Sequence, residues 1–200
     1  MTFLYNDQFN SSKINKTDEL DLWNKFKDGE DKALSLLYNL YANKLYSYGL
    51  KISNDDNIVK DSIQETFINL VDKRKKLIIT EKTYLYLFKS LRNKIIEEIR
   101  TQLRKKRIEE SMVVGLKIQS QSAEDLMVGL EEENSQKMII KTAIESLSEH
   151  QREIIFLKYS EGLNYDDISI VLDIDVASVR TLLYRTLKRM KENLTIKRSV

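Results

Sequence analysis

Apolar residues recur at three- and four-residue spacing along almost the whole chain, and the two-residue alternation of a half-buried strand is scarce. The pattern predicts an all-α protein. Thr17 to Lys27 carries Leu20, Trp23 and Phe26 at helical spacing behind a Thr17 cap and stops at Asp28-Gly29. From Asp31 to about Ile52, the residues Ala33, Leu34, Leu37, Tyr41, Leu45 and Tyr48 form a stripe fit for burial. After the polar break Ser53-Asn54-Asp55-Asp56, a further helix covers about 57 to 72. The next runs from about Glu81 to Arg107. It turns Leu87, Leu91, Ile95 and Ile99 inward, and Arg92, Arg100, Arg104, Lys105, Lys106 and Arg107 outward. The chain has no proline, so nothing interrupts these helices.

Residues 111 to 136 break the regularity with two glycines, a Ser/Gln cluster and an acidic run, and read as a linker. Apolar Met112, Val113, Val114, Leu126, Met127 and Leu130 argue against a purely solvated tether. Beyond it the LSEHQREII segment starts another helix, and 163 to 194 reads as a short helix, a tight turn and a longer helix. Leu163, Ile168, Val171 and Leu172 face a core from the first; Val176, Val179, Leu182, Leu183, Leu187 and Met190 repeat along the second. Asp175 stands where an N-cap belongs. Asp173 falls at a turn position that often needs a left-handed backbone, which Asp and Asn tolerate though glycine fits best. The expected architecture is therefore two small helical domains joined by a flexible linker, the carboxy-terminal one a helix-turn-helix. Its parts are an extension at 1–15, a first domain at 16–107, the linker at 108–137 and a second domain at 138–200.

Charge sharpens this picture. The net charge is only +2, yet residues 73 to 107 hold 13 lysines and arginines against 3 acids, a net of +10. The flanking segments 1 to 72 and 108 to 140 carry −4 and −5. The last sixty residues net +1, with positives crowded after residue 179. Arg180, Arg185, Lys188, Arg189, Lys191, Lys197 and Arg198 lie along the last helix. Such a helix suits a major groove, its first residues near base edges and the rest on phosphates. Two separate basic zones point to a polyanion partner rather than to a uniformly basic protein.

Several chemistries are excluded or disfavoured. The absence of cysteine removes disulfides, thiolate metal sites and a cysteine nucleophile. One histidine, His150, supports neither a zinc cluster nor a Ser-His relay, and reads as a surface or capping residue. The five glycines are too scattered to cradle a phosphate. No cofactor or metal is expected. The amino terminus lacks the features of a signal peptide, and no apolar run approaches the roughly 18 residues of a membrane span, so a cytoplasmic protein without membrane insertion is the expectation.

Three blocks occur in order: VKDSIQETFINLV at 59–71, YLFKSLRNKIIEEIR at 86–100, and LSEHQREIIFLKYSEGLNYDDISIVLDIDVASVRTLLYRTLKRMKENL at 147–194. The chain resembles a sigma-70 family sigma factor of the extracytoplasmic-function group. Asp61, Gln64, Glu65 and Phe67 carry the D-x-x-Q-E-x-F segment. Tyr86, Leu87, Arg92, Asn93 and Arg100 carry Y-L-x-x-x-x-R-N-x-x-x-D-x-x-R, with Glu97 in place of the aspartate. Lys60, Ser169 and Asp173 depart from the pattern at a position usually acidic or small, a common alanine and the turn glycine.

The resemblance implies a protein without bond chemistry of its own that binds core RNA polymerase, directs it to promoters and helps open the duplex. It implies a polymerase-binding face at Asp61, Gln64, Glu65 and Ile68. Contacts to the -10 element, including the melted strand, fall to Lys73, Arg74, Lys75, Lys76, Tyr84, Tyr86, Arg92 and Asn93. Tyr84 or Tyr86 is the stacking candidate, whereas Phe88 reads as core. Contacts to the -35 duplex fall to Ser178, Arg180, Thr181, Tyr184, Arg185 and Lys188. An anti-sigma factor is a further possible partner. Two other classes stay in view. A response-regulator type of helix-turn-helix regulator shares the carboxy-terminal pattern but usually adds an α/β half, and a helical metal enzyme needs an acidic cluster joined to a base or phosphate loop.

Overall fold

The computed structural model describes residues 16–112, 142–144 and 146–198; the expected extension at 1–15 and most of the expected linker lie outside the described residues. No strand occurs among the described residues. The amino-terminal module comprises α1 (Lys16–Asp28), α2 (Asp31–Ile52), α3 (Asp56–Asp72), a 3₁₀ turn at Arg74–Lys76, and α4 (Tyr84–Met112). The carboxy-terminal module comprises α5 (Glu149–Ile155), a π-helical turn at Phe156–Ser160, α6 (Tyr165–Leu172) and α7 (Val176–Arg198).

Local chemistry accounts for the boundaries. α1 ends where Gly29 adopts a φ of +99°, which lets the Gly29 and Glu30 amides return to the Phe26 and Lys25 carbonyls at 3.0 and 3.1 Å. At its other end α1 already includes Lys16, so Thr17 lies in the first turn rather than capping it. The Asp55 carboxylate caps α3 by accepting from the Asn57 and Ile58 amides. α4 begins at Tyr84, three residues later than the sequence pattern predicts, because Thr80 and Thr83 close a turn. The Thr83 hydroxyl donates to the Thr80 carbonyl and accepts the Thr80 amide, both at 2.7 Å. α4 then continues to Met112, into the stretch expected as linker.

α2 is the hub, packed against α1, α3, α4 and α5. Trp23, Phe26, Leu37, Leu45 and Tyr48 are essentially inaccessible. Gly49 permits the closest approach: a Cβ there would stand 2.6 Å from the Val59 Cγ1, so α2 and α3 cross at the one residue without a side chain. In the second module Leu163, Ile168, Val171, Leu172, Val179 and Leu183 are buried as the pattern predicts. Leu187 is not. It is 39% exposed, and Thr186 takes the inward position with its hydroxyl donating to the Leu182 carbonyl at 2.8 Å. A helix advances about 100° per residue, so 179, 183, 186 and 190 form the continuous stripe, and a threonine that satisfies itself on its own backbone is inexpensive to bury.

The two modules dock on one another. Tyr48 of α2 lies 5.3 Å from Phe88 of α4 and stacks on Phe156 of the π turn at 5.9 Å, ring centre to ring centre, so the two apolar cores merge at this tyrosine. α6 packs along α4 beside this junction.

Candidate nucleic-acid interface

On α3, Ser62, Ile63, Thr66, Phe67 and Leu70 are buried, which leaves Asp61, Gln64, Glu65 and Ile68 exposed along the opposite face. Ile68 is 60% exposed with Val71 beside it, an apolar patch flanked by acids. The Glu65 carboxylate is engaged by Lys94 of α4 at 2.5 Å, and that partner raises the Lys94 pKa.

Between α3 and α4 the chain presents Lys73, Lys75 and Lys76 to solvent, while Arg74 is half-buried with its guanidinium over Gly29. Ile78, in the same loop, is 84% exposed. It is a bulky apolar side chain held out among cations, whereas the sequence pattern marks only its charged neighbours. Tyr84 and Tyr86 are half-buried and Asn93 is exposed; burial raises the Tyr84 pKa. Phe88 is core, as expected.

Arg92 corrects the sequence reading. Expected outward, its side chain is only 14% exposed and its Nε donates to the Glu153 carboxylate of α5 at 2.8 Å. Glu153 is itself 2% exposed and also accepts from the Tyr48 hydroxyl at 2.6 Å. Burial, reinforced by the Glu153 charge, holds the Tyr48 phenol well above its ordinary pKa. Nothing in the periodicity marks Glu153 as buried, because its partners come from the other module. Arg92 also lines a groove with Asn93, Arg100, Arg104 and Asp173, so the cationic outer face of α4 runs up to the helix-turn-helix turn.

His150, exposed at the start of α5, places its Nδ1 3.6 Å from the second Glu153 oxygen. The Ser148 and Gln151 side chains form the capping box of that helix, so His150 is a surface residue and not a cap. Its pKa is raised chiefly by Glu153, against burial and the opposing charge of Arg92. A raised histidine pKa favours the folded, charged form. Its contribution is complete below the ordinary value near 6.5 and disappears as pH rises through the raised one. The melting temperature should therefore fall slightly between about pH 6 and 8, by an amount corresponding to less than about 1 kcal/mol for so exposed a histidine, and His150→Gln should flatten that slope. Parallel thermal melts of both proteins check it.

In the helix-turn-helix the αL residue between α6 and α7 is Asp173, at φ 58°. Asp175 caps α7, accepting the Ser178 amide at 2.8 Å and the Ser178 hydroxyl at 2.7 Å, and these bonds lower the Asp175 pKa. Ser178, Arg180, Thr181, Tyr184, Arg185 and Lys188 are all exposed on α7, Tyr184 to 69%. Ser178 is thus a capping residue as well as a surface one, and the Thr181 hydroxyl is returned to the Ala177 carbonyl. Arg180 rests 5.4 Å from the centre of the Tyr165 ring, a loose cation-π contact that leaves it free to swing.

Comparison with known proteins agrees with this geometry. Residues 37–105 match sigma-70 region 2 and residues 137–190 match sigma-70 region 4. The ECF RNA polymerase sigma factor SigM of Bacillus subtilis is 24% identical over 155 residues, covering 78% of this chain and 91% of that protein. SigW of the same organism is 26% identical over 176 residues, covering 84% and 92%. Among solved structures, the fold is shared with the sigma factor RpoE of Bartonella quintana in complex with the anti-sigma factor NepR, at a TM-score of 0.58 and 23% identity over 82% of this chain and 98% of that one. It is shared too with CnrH in complex with the cytosolic domain of CnrY, at a TM-score of 0.59 and 17% identity over 88% and 97%. With both regions matched in order along it, the chain belongs to the sigma-70 family of RNA polymerase sigma factors, in its extracytoplasmic-function group.

Proposed function

We propose that the chain binds core RNA polymerase through α3, carries it to a promoter through α7, and stabilises the opened strand through the 73–93 segment. One observation carries the reading: a single chain presents an acidic-apolar strip, a cationic loop with an exposed isoleucine and half-buried tyrosines beside it, and an exposed cationic helix, in the order of the two matched regions. The strip suits a basic coiled coil, with Ile68 and Val71 as the apolar contact and Asp61, Gln64 and Glu65 as its polar surround. Region 4 then reads duplex DNA while Ile78, Tyr84, Tyr86 and Asn93 meet unpaired bases and Lys73, Arg74, Lys75 and Lys76 meet phosphates. The chain would act in the cytoplasm, where its polymerase is, as an initiation factor with no reaction of its own. The sigma factor RpoE, of the same fold, is seen bound to the anti-sigma factor NepR, which supports a protein inhibitor for this chain as well. A response-regulator reading is not favoured, because the amino-terminal module is helical and itself matches region 2.

Reconstitution tests this. Added to core polymerase, the protein should produce discrete transcripts from genomic fragments; transcripts that do not depend on it, together with tight duplex binding by the chain alone, would favour the regulator. Asp61→Lys with Glu65→Lys should weaken core binding on the order of tenfold, by placing like charges against a basic partner. Folding should survive, since exposed i, i+4 charges contribute little and the Glu65–Lys94 pair is itself solvated. Circular dichroism supplies the folding control. Unchanged core affinity would remove this strip from the interface.

A further inference from the structure

We propose that Lys82, Lys89 and Arg92 form a phosphate-binding row on α4 and its approach, and that carboxylates of the chain's own second module occupy this row until a nucleic-acid strand displaces them. The inference rests on the promoter-opening role proposed above and adds to it two contact residues, Lys82 and Lys89, and a competitor. Lys82 Nζ lies 2.7 Å from the Asp167 carboxylate of α6, Lys89 Nζ lies 2.6 Å from the Asp173 carboxylate of the turn, and Arg92 Nε lies 2.8 Å from Glu153 of α5. Three cations from eleven residues of one module thus meet three carboxylates from three elements of the other. The contacts graduate from buried to exposed: Glu153 and Asp167 are enclosed, whereas Asp173 is 73% exposed.

That arrangement accounts for Asp173. Glycine is the residue best suited to the αL turn, yet an aspartate stands there, at φ 58°, with its carboxylate on Lys89. The substitution makes sense as an intermodule contact rather than as turn chemistry. Exposed ion pairs of this kind are individually weak and fade with salt, so they exchange readily for phosphate contacts of the same geometry and charge. Separating a buried pair such as Arg92–Glu153 is also less costly than its Coulomb attraction implies, because both charges regain water or, for the arginine, a phosphate. The carboxylates therefore occupy the row and can yield it to a polyanion, which has in addition to part the Tyr48–Phe156 contact of the merged core.

The absence of cysteine makes the test direct. Asn24→Cys and Glu192→Cys, both at exposed positions in different modules, accept a fluorescent donor and acceptor on the full chain. A single-stranded 20-nucleotide DNA of mixed sequence is the probe. Adding it should lower the transfer efficiency as the modules part. Asp173→Gly, which relieves the turn, combined with Asp167→Asn should lower the starting efficiency and strengthen binding on the order of tenfold. It should also steepen the salt dependence by about 0.7 in log-log slope for each lysine freed. A charge-matched control, Asp18→Asn with Asp31→Asn on α1 and α2, should do neither. Strand binding without loss of transfer would overturn the proposal, as would a double variant indistinguishable from the control. Whether the chain programs core polymerase is read separately, so a variant that opens and gains strand affinity sustains the masking even if reconstituted transcription fails.

Discussion

Arg92→Ala should open the molecule. The substitution leaves Glu153, 3% exposed in its side chain, facing the junction without its guanidinium, with Tyr48 as neutral donor and His150 as an outlying partner. Removing one member of a buried pair typically costs about 3–5 kcal/mol, whereas removing both for apolar residues is often neutral. Undocking is the available escape: it lets the carboxylate hydrate, at the cost of exposing the Tyr48–Phe156 contact where the two cores merge. The expected result is a larger radius of gyration by small-angle scattering and a single thermal transition that divides into two. Arg92→Leu with Glu153→Leu should restore docking where the single variant loses it, a pattern that general loss of fold would not give. An Arg92→Ala protein as compact and as cooperative as the parent would show that this pair does not hold the modules together.

Arg180→Ala with Arg185→Ala should abolish recognition of the upstream duplex while leaving strand opening on a premelted template intact. Both side chains are exposed on α7, Arg180 one turn past the Asp175 cap and Arg185 on the following turn. A bidentate contact to guanine contributes about 1–3 kcal/mol, so the pair together would account for roughly 2–6 kcal/mol of discrimination. Their loss removes no buried side chain, and Arg180 gives up its loose contact with the Tyr165 ring. The complementary variants Tyr86→Ala and Asn93→Ala should spare upstream binding and impair opening, followed by permanganate reactivity of unpaired thymines on duplex and premelted templates. Identical defects in the two sets would mean that the modules do not divide the promoter between them.

Helical periodicity disclosed what each module does alone, and the modules themselves were legible for that reason. Trp23, Leu37, Leu45, Leu91 and Val179 lie on apolar stripes that the sequence pattern marks for burial, and the structure buries all of them. Asp55 and Asp175 act through bonds to residues no more than a few positions away, and Asp173 takes the αL turn through its own backbone, which is why the cap at Asp175 and the turn at Asp173 could be read from order alone while the bond from Lys89 to Asp173 could not. Arg92 and Glu153 are 61 residues apart and charged, and each on its own helix has the spacing of a solvated residue. Only the docking of α5 on α2 and α4 makes one the counter-ion of the other. Thr186 and Leu187 are a smaller case, adjacent residues at the margin of one stripe, where the backbone bond available to threonine decides which turns inward. The face of α3 was legible because burial of Phe67 and Leu70 turns Asp61, Gln64 and Ile68 to solvent on the opposite side, where Lys94 of α4 reaches Glu65.

α4 has one more property, which follows from its length. At about 1.5 Å per residue its 29 residues make a straight rod of roughly 43 Å, and the stretch from Tyr84 to Arg107 spans about 35 Å. That is close to the 34–36 Å of one full turn of duplex. Groups fixed at Tyr84 and at Arg107 are therefore held at a set separation, and lengthening the helix by a heptad between them would move the far end by about 10 Å.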